Sequence, residues 1–182
     1  MMSEVYFGPF LVSKQVFFHA KNSLALVNLK PVLPGHVLVI PRRPVPRLRD
    51  LTEQEISCLF STVQKVSSVV EKAFFASSCT VTIQDGKYAG QTGSSLILLS
   101  VLNFVVPHLH VHVIPRRPYD LKENDEVYER LTSDDANLWK LYWEKTRVFE
   151  RIDDSDRKPR SDQEMEEEAR WLEKFFDSNN TS

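Results

Sequence analysis

The run His108-Leu-His-Val-His-Val-Ile114 constrains this chain more than any other segment. Alternation of one polar residue with aliphatics is a strand pattern, because successive side chains of an extended chain point to opposite faces. It places His108, His110 and His112 on one face and assigns Leu109, Val111, Val113 and Ile114 to the other, buried one. Three aligned imidazoles are costly in a core strand, since each carries a donor and an acceptor that must be paired. The pattern therefore points to chemistry, and two kinds compete. A metal could be shared by histidines two apart. However, His108 and His112 stand roughly 13 Å apart at the backbone, so further ligands would be needed, and no HExxH motif or cysteine cluster supplies them. Alternatively, a neutral imidazole attacks phosphorus. One ring nitrogen is held as N–H, the other lone pair is aimed at the phosphate, and neighbouring imidazoles donate to phosphoryl oxygens.

A near-repeat accompanies this run: His36–Pro44 reads HVLVIPRRP and His110–Pro118 reads HVHVIPRRP, differing only at Leu38 and His112. Two copies make no solenoid. They are either two similar core strands ending in basic turns, or two related halves that each present a histidine near one site. Arg42, Arg43, Arg116 and Arg117 read as solvated turn charges.

Further strands are expected at Val16–His19, Leu24–Asn28, His36–Pro41, Thr80–Gln84 and His108–Pro115. Thr52 and Glu55 form a capping-box pattern ahead of Ile56, Leu59, Phe60, Val63, Val66, Val70 and Phe74, predicting a helix over about Thr52–Phe75. A helix is expected at Asp134–Thr146. Asp153–Arg160 reads as a charged, mobile loop. Ser161 and Glu164 open a terminal helix through Met165, Ala169, Leu172 and Phe176. Together these predict an α+β fold, a mainly antiparallel sheet with one long helix and a C-terminal helical region. The expected organisation is residues 1–150 as the catalytic body, with 151–182 as a charged loop and helix packed on it.

The formal net charge of -2 provides no pull toward nucleic acid or an anionic membrane. The longest apolar stretch, around Leu96–Val106, falls short of the about 20 residues a membrane span needs. Nothing in the first residues reads as a signal peptide. Cys58 and Cys79 have no metal spacing and read as reduced, packed thiols. The cytosol is the expected location, with the nucleus open to a chain of this size.

The triad pattern resembles that of the histidine triad superfamily. Other segments narrow the resemblance to the fragile histidine triad branch, the dinucleoside polyphosphate hydrolases. They are Phe7-Gly8, Leu24–Asn28 with Lys30-Pro31, Pro34–Val39, Gln84-Asp85-Gly86 with Ala89-Gly90-Gln91-Thr92, and Asn124–Tyr128. The resemblance implies a histidine-triad-like fold and hydrolysis of diadenosine triphosphate or tetraphosphate to AMP plus ADP or ATP, through a histidine-bound nucleotidyl intermediate. It implies His110 as nucleophile, His108 orienting it, His112 on the phosphate and His36 supporting the triad. Asn28 would bind ribose, and Gln84, Gly90, Gln91 and Thr92 would hold the phosphates or nucleotide. It further implies a homodimer, no tightly bound cofactor, and Mg2+ or Mn2+ arriving with the substrate phosphates. Tyr128 matches a tyrosine linked to signalling in that branch. A rival reading is a slow-turnover dinucleotide-binding signalling protein; others are a nucleoside phosphoramidase or nucleotidyl transferase, and a zinc enzyme.

One departure stands out. In the family the Gln-Thr pair is followed almost at once by the triad, whereas here Gly93–Val105, reading GSSLILLSVLNFV, intervenes. Eight of its thirteen residues are apolar, unlike the short polar connections usual in compact domains. It reads as a translated intron or alternative isoform, which could inactivate the chain, or as a lid or partner-binding hairpin.

Overall fold

The computed structural model describes residues 4–8, 10–86, 89, 108–131 and 160–177. Its centre is a five-stranded antiparallel sheet. The strands are β3 (Val16–His19), β4 (Ser23–Val27), β5 (Val37–Pro41), β6 (Ser78–Thr82) and β7 (Val111–Arg116), in the order β3-β4-β5-β7-β6. A hairpin of β1 (Tyr6–Phe7) and β2 (Phe10–Leu11) precedes it; two-residue strands leave no periodicity for a sequence reading to find. β3 has the expected bounds. β4, β5 and β6 each shift by one or two residues, and β7 begins at Val111 rather than His108. His108 and His110 thus precede the ladder, where Leu109 N–H donates to Val45 O at 2.7 Å.

The near-repeat has a structural meaning. β5 and β7 pair with Val37 opposite Val113, Leu38 opposite His112 and Val39 opposite Val111. The copies therefore cross antiparallel about the Leu38–His112 pair, the position at which they differ. This local twofold favours the related-halves reading. It sends Val37, Val39, Leu109, Val111 and Val113 into the main core beneath the helices. Leu38 and Ile40 pack on the opposite face with Leu24, Leu26, Val5 and Val12. Ile114 corrects the sequence reading: it packs with Val32, Val127 and Leu131, apart from Val111 and Val113, because its even position puts it on the histidine face.

Helix α1 (Glu53–Ala73) starts at the expected capping box, with Glu55 N–H donating to Thr52 Oγ1 at 3.3 Å and Thr52 N–H to Glu55 Oε2 at 2.9 Å. Leu59, Val63, Val66 and Val70 are buried against the sheet, while Phe60 is exposed. Helix α2 (Asp162–Asp177) has the same device, Ser161 N–H to Glu164 Oε2 at 2.7 Å. It sends Met165, Ala169 and Leu172 into the core that α1 covers. Residues 126–131 are also helical. The helix expected at Asp134–Thr146 and the segment Gly93–Val105 lie outside the described residues. Among the described residues no helix is long and apolar enough to cross a membrane.

Gly35 sets the entry to β5. Its φ is +84°, and a Cβ there would fall 2.5 Å from the Phe74 ring, which packs edge-on against Trp171. Gly35→Ala is expected to cost about 2 kcal/mol through backbone strain and this overlap. Urea unfolding of the variant checks it; an unchanged midpoint would show that the turn relaxes freely.

Candidate active site

β5 and β7, with the residues that lead into them, bring four histidines together. His36, His108, His110 and His112 are all buried. The ring centroids of His110 and His112 lie 4.7 Å apart, and those of His36 and His112 5.1 Å apart. Phe7 from the hairpin packs on the cluster, 5.3 Å from the His108 ring and 5.5 Å from the His110 ring.

The hydrogen bonds assign a tautomer to each ring. Val32 N–H donates to His36 Nδ1 at 3.0 Å, so that nitrogen is an acceptor and His36 Nε2 carries the proton. His36 Nε2 then donates to His112 Nδ1 at 2.9 Å, which puts the His112 proton on Nε2. On the other side, His110 Nδ1 donates to His108 O at 3.1 Å, leaving Nε2 as a lone pair. His108 Nε2 donates to Pro41 O at 2.8 Å. Backbone groups thus specify a nucleophilic nitrogen on His110 beside a donor on His112.

Burial favours the neutral rings this scheme requires. Desolvation pushes His108 down to about 4, opposed by its bond to Pro41 O. Burial lowers His110, opposed by its bond to His108 O. His112 lies well below the usual histidine value, first through burial and then through His110 and His36.

The other expected site residues are partly placed. Gln84 follows β6. The last pair of the β6–β7 ladder is Thr82 opposite His112; Gln84 lies two residues beyond Thr82, and His110 two residues before His112, both past the end of that ladder. Gln84 Oε1 and His112 Nε2 are both buried without a hydrogen-bond partner among the described residues. Asn28 follows β4. Its Oδ1 accepts from Lys30 N–H at 3.2 Å, and its Nδ2 stands 3.2 Å and 3.3 Å from the two ring nitrogens of His36. Gly90, Gln91 and Thr92 lie outside the described residues.

Several contacts had no signal in the sequence. Arg160, read as part of a mobile loop, is fixed: its Nε and Nη2 donate to Asn28 O, its backbone N–H to Leu29 O, and its Nη1 pairs with Glu168. One of the turn arginines, Arg116, is committed rather than solvated, while Arg42 and Arg43 stay exposed and bond at the surface. Arg116 holds Asp120 through two bonds of 2.8 and 2.9 Å with both side chains largely buried, and Arg43 pairs with Glu55 at 2.7 Å. Arg42 Nε donates to Ala20 O at 2.9 Å. Both cysteines are free; burial and Glu71 raise Cys79 to about 12.

Comparison with known proteins agrees with this geometry. The HIT domain family model matches residues 11–96, a match ending inside Gly93–Val105 and short of the triad. The chain is 47% identical to the bis(5'-nucleosyl)-tetraphosphatase [asymmetrical] of Schizosaccharomyces pombe, over 97% of this chain and 96% of that protein. It is 41% identical to the bis(5'-adenosyl)-triphosphatase of Dictyostelium discoideum, over 98% and 97%. Among solved structures, the Caenorhabditis elegans NitFhit protein matches with a TM-score of 0.64 at 32% identity, covering 96% of this chain and 31% of that one. Likeness across nearly the whole length, together with the triad running from His108 into β7, makes this chain a member of the histidine triad family, within its fragile histidine triad branch.

Proposed function

We propose that this chain hydrolyses dinucleoside polyphosphates, with diadenosine triphosphate or tetraphosphate as substrate and His110 Nε2 as the attacking atom. The observation that carries the reading is the tautomer chain. A lone pair on His110 and a proton on His112 Nε2 are the two groups an in-line attack on phosphorus needs. His110 Nε2 forms a bond to the α-phosphorus as the bond to the bridging oxygen breaks, and ADP or ATP leaves. Water then forms the new P–O bond as the N–P bond breaks, and AMP departs. His112 Nε2–H donates to a phosphoryl oxygen, and His36 holds His112 in that tautomer. In this reading Asn28 takes a ribose hydroxyl and Gln84 the phosphates, with Gly90, Gln91 and Thr92 expected to complete the site; the contact of Asn28 with His36 and the unpartnered buried Gln84 Oε1 support it.

Among the described residues no group of three or more His, Cys, Asp or Glu side chains converges as a metal cage. A hard cation prefers oxygen ligands, so Mg2+ or Mn2+ would be held by the substrate's phosphates and water, where it would offset phosphate charge. We further propose that the chain works as a homodimer in the cytosol.

The test is incubation of the purified chain with diadenosine triphosphate and chromatography of the nucleotides. Equimolar AMP and ADP are expected. Tight binding without turnover would overturn the reading in favour of a dinucleotide-binding protein. The same assay on a chain lacking residues 93–105 reports what that segment does; a misplacement of about 1 Å in a catalytic group can cost on the order of a hundredfold.

A further inference from the structure

We propose that the ion pair between Arg47 and Asp85 is a positioning element for catalysis, holding the Gln84 amide against His110. The inference rests on the hydrolase reading above. His110 and Gln84 both lie beyond the end of the β6–β7 ladder, whose last pair is Thr82 opposite His112. Cross-strand hydrogen bonds therefore do not set their spacing. What ties them together is the strap at residues 45–48, between β5 and α1. At one end Val45 O accepts from Leu109 N–H at 2.7 Å, between His108 and His110 in the sequence. Two residues on, Arg47 donates from Nε to Asp85 Oδ1 at 3.0 Å and from Nη2 to Asp85 Oδ2 at 3.3 Å, and Leu48 N–H donates to Asp85 Oδ1 at 2.9 Å. Both Asp85 oxygens are thus occupied, directly after Gln84.

Gly86 makes room for this contact. Its φ is +104°, and a Cβ there would lie 2.6 Å from the Arg47 guanidinium carbon. Arg47 and Asp85 are about one-third exposed, at 35% and 32%, and a pair so open to solvent adds little to global stability. Its consequence is geometric. A two-point fork fixes the direction of the Asp85 carboxylate as well as its distance, and Val45, which begins the strap, is itself buried.

The test is steady-state kinetics of the full chain on diadenosine triphosphate, with thermal unfolding alongside. Arg47→Met keeps the side-chain bulk and removes the fork. It is expected to lower kcat by about ten- to a hundredfold, with KM changed by less than about threefold and Tm nearly unchanged. Arg47→Lys should recover only part of the loss, because a point charge cannot span both oxygens. The decisive comparison is made in a Gln84→Ala background, where Arg47→Met should cause no further loss of kcat. An equal fractional loss in that background overturns the proposal, as does an unchanged kcat or a loss that follows a fall in Tm. A wild-type chain without turnover removes the hydrolase reading and the clamp's role with it, which differs plainly from an active wild type beside an unaffected Arg47→Met.

Discussion

His110→Ala is expected to lower kcat on diadenosine triphosphate by at least about four orders of magnitude, with the dissociation constant for the dinucleotide changed only a few-fold. The separation of the two effects follows from the geometry. His110 Nε2 is the ring nitrogen left with a lone pair once Nδ1 has donated to His108 O, so its removal forces water to attack the phosphorus directly. The groups proposed for binding survive: the His36–His112 bond is formed without His110, and so is the Asn28 contact with His36. His112→Ala should be milder, about 10²–10³ in kcat, the loss typical of one donor to a developing oxyanion. Wild type quenched in mid-turnover with labelled substrate should carry an adenylyl group on His110, acid-labile as phosphoramidates are. A His110→Ala chain that kept more than about a hundredth of wild-type kcat would be incompatible with nucleophilic catalysis by this residue.

What the sequence disclosed, and what it did not, follows the range of the interactions involved. Local signals were sufficient for the helices. The Thr52–Glu55 and Ser161–Glu164 boxes form within four residues, and the spacing of Leu59, Val63, Val66 and Val70 fixed the buried face of α1. The alternation around His110 correctly placed Leu109, Val111 and Val113 in the core, and failed at Ile114, where one aliphatic follows another and only parity tells the faces apart. The near-repeat showed two related strands but not that they pair about Leu38 and His112, since register is a property of two segments together. The tautomers were beyond reach for a similar reason. They depend on Val32 N–H and on the carbonyls of Pro41 and His108, and backbone groups leave no trace in residue identity. Arg47, Asp85 and Arg160 were unreadable as partners because their contacts join segments far apart in the chain.

Acidification from pH 7 to pH 4 is expected to remove about 3 kcal/mol of stability through His108 alone, with His110 and His112 adding to the loss. The sign follows from where the proton binds. Above about 6.5 the imidazole of His108 is neutral in both folded and unfolded chains and contributes no slope. Below that value the unfolded chain takes up a proton, while the folded chain, with His108 lowered to about 4 by burial, does not. Stability therefore falls as the pH drops through this window and levels off for this group once the folded ring also protonates. The carboxylates held low by arginines, Asp85 by Arg47 and Asp120 by Arg116, act in a lower window, because their unfolded values already lie near 4. Urea unfolding at pH 7, 5.5 and 4 separates the two sources: the histidine loss should be well advanced at pH 5.5, before carboxylates contribute. His108→Gln, which cannot protonate, should make that upper limb shallower, with the part due to His110 and His112 remaining, while leaving the lower one in place. A wild-type profile flat between pH 6.5 and 4 would mean that the folded triad accepts protons as readily as the unfolded chain. That would contradict the neutral His110 on which the proposed attack at phosphorus depends, so the stability profile tests the chemistry as well as the fold.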